Sequence, residues 1–281
     1  PLDLLLVADT SGSMDARART VQADLIAALL AQLSEKDRVR LLAMDATPAW
    51  VAADALPATE ATAKGLLDAL AARPSLGWTD LDAAFEAALS KAGAGTQVIY
   101  VGDGIQTARN ADPVACADRL RRLAQGSKAT VHAVSASAAY EQGVLEAMAS
   151  IGGGSVRRAD AEPAAAAKAL LAEVGKPGLR DAKLSIEGLP TAAVYPAVLP
   201  NVPLGQQQVI LGRFLPGAEG RSATVVLTGT VAGATVRWTS TLAAPTADAG
   251  NSFLPRLWAR RHLDMLLAQG KDPKTQEEIL A

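Results

Sequence analysis

At 281 residues and a formal net charge of −2, the chain is long enough for two domains and lacks the basic balance that nucleic acid demands. Hydrophobic residues make up 49% of it and aromatic ones only 4%, so its core must be built from Ala, Leu and Val. The single cysteine, Cys116, excludes an intrachain disulfide and a Cys-rich zinc site, and no apolar run approaches the ~18 residues of a membrane span.

Residues 2–8 form a continuous apolar run, as expected of a strand covered on both faces. The run is short and holds Asp3, so it is not the core of a targeting signal. Val21, Leu25, Leu29 and Leu33 then recur at helical spacing. Residues 39–44 read as a second strand and 49–53 as a short, antiparallel edge strand. Residues 59–72 and 81–91 read as helices, 96–101 as a buried strand, and 113–125 as a helix opened by Pro113. A strand at 129–135, a helix at 140–150, a glycine turn at 152–154, a short strand at 155–158 and a helix at 163–174 complete the series. Cys116 falls within a helix and reads as a buried small hydrophobe.

This alternation predicts a doubly wound, mainly parallel six-stranded α/β sheet in the order 3-2-1-4-5-6, with its switch point beside the first strand. The pattern changes at Lys176-Pro177-Gly178. Five short β-like runs follow (182–186, 193–196, 207–214, 223–231 and 235–242), the last two as a hairpin, and together they suggest a β-sandwich-like region. A linker at 244–250 leads to a helix at 253–269, and Pro273 opens a final short helix. The expected division is 1–176, 177–250 and 251–281. The chain opens almost inside a strand and ends in a helical pattern, as a piece of a longer protein does.

Asp9-Thr10-Ser11-Gly12-Ser13 lies at the carboxyl end of the first strand, where open α/β sheets bind ligands. One carboxylate and two hydroxyls within five residues suit a hard cation such as Mg²⁺; an ordinary helix cap at a βα turn favours the same residue types. Gly77-Trp78-Thr79-Asp80 precedes a helix and Gly102-Asp103-Gly104 ends a buried strand, so Thr79 and Asp103 can converge on the same cation. His132 reads as a core histidine and His262, in the C-terminal helix beside Arg260 and Arg261, as part of a solvated face. Neither a Gly-x-Ser-x-Gly elbow nor a P-loop occurs.

The sequence Asp-x-Ser-x-Ser, with a threonine in a second loop and an aspartate after the fourth strand, resembles the metal-ion-dependent adhesion site of von Willebrand factor type A domains. The resemblance covers about residues 1–175 and implies a Rossmann-like fold. It also implies a metal site of Asp9, Ser11, Ser13, Thr79 and Asp103 for Mg²⁺ or Mn²⁺, with Ca²⁺ also compatible. Ser11 and Ser13 would bind directly, Thr79 directly or through water, and Asp9 and Asp103 through water and hydrogen bonds to the serines. Two positions depart from the family pattern. Trp78 follows Gly77 where a Gly-Gly pair is common, and Gly102 replaces a Thr or Ser, a change expected to loosen its loop. Leu257-Trp258-Ala259 is similar to the stretch after the type A domain in bacterial proteins that also carry a VIT domain (inter-α-trypsin inhibitor heavy-chain type), though an amphipathic helix with a core tryptophan explains the same residues.

The implied function is metal-dependent protein binding at the cell surface or outside it, through an Asp or Glu carboxylate of the partner. The chain is then not an enzyme. Two other classes remain open: a cytoplasmic subunit working with a ring-shaped ATPase, and a metal-dependent hydrolase, which would still need a positioned general base.

Overall fold

The computed structural model describes residues 1–74, 77–159, 161–174, 178–196, 199, 201–204, 207–231, 234–244 and 253–269. The chain divides into two compact units, Pro1–Lys176 and Pro177–Ala281. The expected breakpoint at Lys176-Pro177, all but the first residue of the 244–250 linker and the helix from Pro273 lie outside the described residues.

In the first unit the order is β1 (Asp3–Asp9), α1 (Ala16–Leu30), β2 (Arg38–Met44), β3 (Pro48–Pro57), α2 (Glu60–Ala72) and α3 (Leu81–Lys91). It continues with β4 (Thr96–Gly102), α4 (Pro113–Leu123), β5 (Thr130–Ser135), α5 (Gln142–Ser150), β6 (Val156–Arg158) and α6 (Pro163–Val174). The six strands lie in the order β3-β2-β1-β4-β5-β6, all parallel except the edge strand β3, as the alternation predicts. Because β1 is central and covered on both faces, its side chains divide between two cores. Leu4, Leu6 and Ala8 pack with α1, α2 and α6, whereas Leu5 and Val7 pack with α3, α4 and α5.

β3 is longer than the expected five residues, spanning ten, with register shifts where it passes Val39, Leu41 and Leu42 of β2. Its exposed second half carries no apolar alternation strong enough to mark it as strand. Leu33, the fourth member of the α1 stripe, lies beyond the end of the helix yet still packs against the same core. His132 is buried as expected: the Ser155 N–H donates to Nδ1 at 3.2 Å, so Nε2 donates to the Gln97 side-chain Oε1 at 3.1 Å. Cys116 is buried too, and burial, then the charge of Asp82, pushes its thiol up to about 11.

The second unit holds β7 (Gly178–Glu187), β8 (Thr191–Tyr195), β9 (Val202–Pro203), β10 (Leu211–Phe214), β11 (Ser222–Val231), β12 (Ala234–Ala243) and α7 (Phe253–Gln269). Four strands form an antiparallel sheet in the order β12-β11-β7-β9, and β10 pairs with β8. The expected hairpin is present, with an unbroken ladder from Ser222↔Ala243 to Val231↔Ala234. Only Leu211–Phe214 of the expected 207–214 run pairs, and the two-residue β9 is too short to show a period.

Helix α7 has the bounds expected, but His262 is not on a solvated face. It stacks on Trp258 with ring centroids 4.9 Å apart and hydrogen-bonds the Tyr195 hydroxyl. Trp258 Nε1 donates to the Ala193 carbonyl at 2.9 Å, which fixes the helix to β8. The neighbouring charges of Arg260 and Arg261 point to solvent in the sequence, whereas the aromatic partner comes from a strand 67 residues away. No helix among the described residues is long and apolar enough to cross a membrane.

Candidate metal centre

Strand β1 delivers Asp9 to the carboxyl edge of the sheet, fully buried. The chain turns at once: the Ser11 N–H donates to Asp9 Oδ1 at 2.9 Å, and Ser11 Oγ lies 3.0 Å from Ser13 Oγ. Such Asx turns are favoured by a short acidic side chain bonding two residues on. Asp15 then caps α1, accepting from the Ala18 N–H at 2.7 Å. The capping role is thus filled by Asp15 and leaves the serines' hydroxyls to other partners.

Two further loops meet this turn. The Gly12 N–H donates to the Gly77 carbonyl at 3.0 Å, and a Cβ on Gly12 would stand only 3.2 Å from that oxygen. The Thr79 N–H donates to the Thr107 hydroxyl at 2.7 Å, while the Thr79 carbonyl accepts from the N–H groups of Thr107 and Ala108. Thr79 is fully buried, and its Oγ1 has no hydrogen-bond partner among the described residues. Asp103, at the end of β4, accepts from the Ile105 N–H at 2.8 Å and from the Ser13 hydroxyl. All five residues singled out in the sequence therefore lie on three loops that are bonded to one another at the same sheet edge.

The electrostatics are those of a site with surplus negative charge. Burial, then the charge of Asp103, pushes Asp9 up to about 6, even though Ser11 and Tyr100 hydrogen-bond it. Burial likewise raises Asp103, against the bonds from Ser13 and Ile105. Two buried carboxylates near each other and three hydroxyls, one of them the orphaned Thr79 oxygen, form a donor set that fits a hard divalent cation. Among the described residues no cluster of three or more His, Cys, Asp or Glu side chains could hold a metal, so a cation here depends on the hydroxyls.

Several residues that hold the site were not apparent in the sequence. The Tyr100 hydroxyl donates to Asp9 Oδ2 at 2.8 Å and accepts from the Gly104 N–H at 3.0 Å. This corrects the expectation for Gly102. A Cβ there would fall 2.3 Å from the Tyr100 hydroxyl and 2.5 Å from the Asp9 Cβ, so the tyrosine occupies the space a Thr or Ser would need. The loop is pinned, not loosened, with the Gly102 and Asp103 carbonyls accepting from Ala136 and Glu141. Gln22 Nε2 donates to the Asp9 and Val101 carbonyls at 2.9 and 2.8 Å, locking β1 to β4. Arg73 bonds Thr10 Oγ1 at 2.9 Å and Asp45 at 2.7 Å.

Residues 2–157 match the model of the von Willebrand factor type A domain family. The chain is 25% identical, over an alignment 309 positions long, to human inter-alpha-trypsin inhibitor heavy chain H6, which takes in 99% of this chain and 24% of that protein. It thus spans about a quarter of that relative. Among solved structures, a von Willebrand factor type A protein from Catenulispora acidiphila superposes with a TM-score of 0.63 at 17% identity, over 95% of this chain and 71% of that one. The ArnB paralog VWA2 from Sulfolobus acidocaldarius gives 0.57 at 13% identity, over 98% and 77%. At these identities the two structures speak for the fold alone.

Proposed function

The chain belongs to the von Willebrand factor type A domain family, and from that premise we propose that it is a metal-dependent protein-binding module with its site at Asp9, Ser11, Ser13, Thr79 and Asp103. The observation that carries this reading is the buried Thr79 hydroxyl with no partner among the described residues, on a loop bonded through Gly77 to the turn that holds Ser11 and Ser13. The serine and threonine hydroxyls would ligate the cation, with Asp9 and Asp103 balancing its charge through hydrogen bonds and water. Mg²⁺ or Mn²⁺ suits this oxygen set best. When bound, the cation supplies a positive charge only partly neutralised by its ligands, and so an acceptor for a carboxylate oxygen of a partner's Asp or Glu.

Binding is favoured over hydrolysis because both histidines are engaged elsewhere, His132 within the sheet and His262 with Tyr195 and Trp258. We assign the activity to the cell surface or the extracellular space, with a cytoplasmic ATPase-associated role as the alternative. Calorimetric titration of Mg²⁺ into metal-free protein tests the central claim. One site is expected, with a rise in melting temperature worth about 2.7 kcal/mol at 100-fold excess over Kd, and both should be lost in Ser13→Ala/Thr79→Ala. An unchanged titration in that variant would put the cation elsewhere.

A further inference from the structure

Trp78 adjoins the candidate donors with 66% of its surface exposed. So large an apolar side chain is ordinarily mostly buried, and its exposure is informative where that of a leucine would not be. Its two neighbours in the chain are tied down. Gly77 is tied to Gly12 through its carbonyl, and Thr79 to Thr107 and Ala108 through both its N–H and its carbonyl. The backbone therefore holds the indole outward from a frame bonded to both neighbouring loops, and little entropy remains to be lost on contact. The same loop pair carries Arg109, a non-glycine residue at φ 55° whose Nε bonds Asp80 at 2.8 Å while 57% of its side chain stays exposed. A left-handed arginine is uncommon, and this one is kept at the rim by its ion pair.

We infer that Trp78 is the anchor that sets specificity at this surface, and that the partner is an extended acidic peptide segment. Its Asp or Glu would reach the cation, and an aromatic or large aliphatic side chain within a few residues would pack on the indole. Charge selects the class. Arg109 is already paired with Asp80, so a bound divalent cation is what favours an anionic segment and opposes a lysine or arginine over the ring. Buried aromatic anchors dominate the energy of such contacts, and tryptophan is prominent among them. The inference rests on the metal-binding reading above.

The test captures peptides from a random library on the Mg²⁺-loaded chain and releases them with EDTA. The recovered peptides are titrated against the wild type, Trp78→Ala and Trp78→Phe, and Mg²⁺ alone is titrated into each protein. Recovered peptides should pair an acid with a nearby aromatic or aliphatic residue. Trp78→Ala should weaken them by roughly tenfold or more while Trp78→Phe retains most of the affinity. Mg²⁺ affinity should be unchanged throughout. Equal peptide binding by Trp78→Ala, recovered acids without apolar neighbours, or no peptide released by EDTA despite a Mg²⁺ signal would overturn the anchor and leave the metal site standing. Absence of any Mg²⁺ signal in the wild type would overturn both.

Discussion

A buried hydroxyl without a partner is a cost that folding has accepted at Thr79, and an isosteric change reveals it. Thr79→Val keeps the shape and removes the unsatisfied oxygen. The metal-free protein should gain about 1 kcal/mol in stability, while its stabilisation by Mg²⁺ falls; thermal melts with and without the cation read both effects. A variant less stable in both states would mean that the hydroxyl already has a structural partner. Asp37 is the opposite case. Burial alone would raise its carboxyl, yet the N–H groups of Leu2 and Ser34 and the Ser34 hydroxyl, at 2.6, 2.7 and 2.9 Å, hold it below the ordinary 3.8. A depressed folded-state value contributes stability that is full above about pH 4 and lost as pH falls through the lower folded value. Asp37→Ala should therefore cost about 1–3 kcal/mol at neutral pH, and the gap to wild type should narrow toward pH 2 in acid denaturation curves. A gap that does not vary with pH would mean the loss is one of packing.

Elements were legible where one short window contained the whole signal. The apolar run of β1, the stripe of α1, the proline-opened α4 and the bounds of α3 and α6 all follow from local period and caps. The same windows placed Asp9, Ser11, Ser13, Thr79 and Asp103 at one sheet edge, because strand order puts β1 beside β4. What holds them there was not legible. Tyr100 reaches Asp9 across 91 residues, Gln22 reaches Val101 across 79, and Arg73 reaches Thr10 across 63. Such contacts depend on register and side-chain direction, which a pattern of apolar positions leaves open. Gly102 shows the consequence, since its meaning lies in the phenol beneath it. Gly102→Ser should destabilise by roughly 1–3 kcal/mol through overpacking, and the loss should shrink in Tyr100→Leu/Gly102→Ser. Additive losses in a double-mutant cycle would show the two positions to be independent.

At the scale of the whole chain, the first unit has a complete sheet with cores on both faces, from which independent folding is expected. Residues 1–176 expressed alone should unfold in one cooperative transition and keep the Mg²⁺ response, as calorimetry and spectroscopic melts would show. Noncoincident transitions would mean that the unit needs the rest of the chain. Every parallel strand in that unit points its carboxyl end at the candidate metal centre, so Pro1, which leads into β1, lies at the far edge. Helix α6, returning from β6, finishes there as well. A tether at either end of the unit thus pulls from behind the sheet and leaves the opposite rim facing outward.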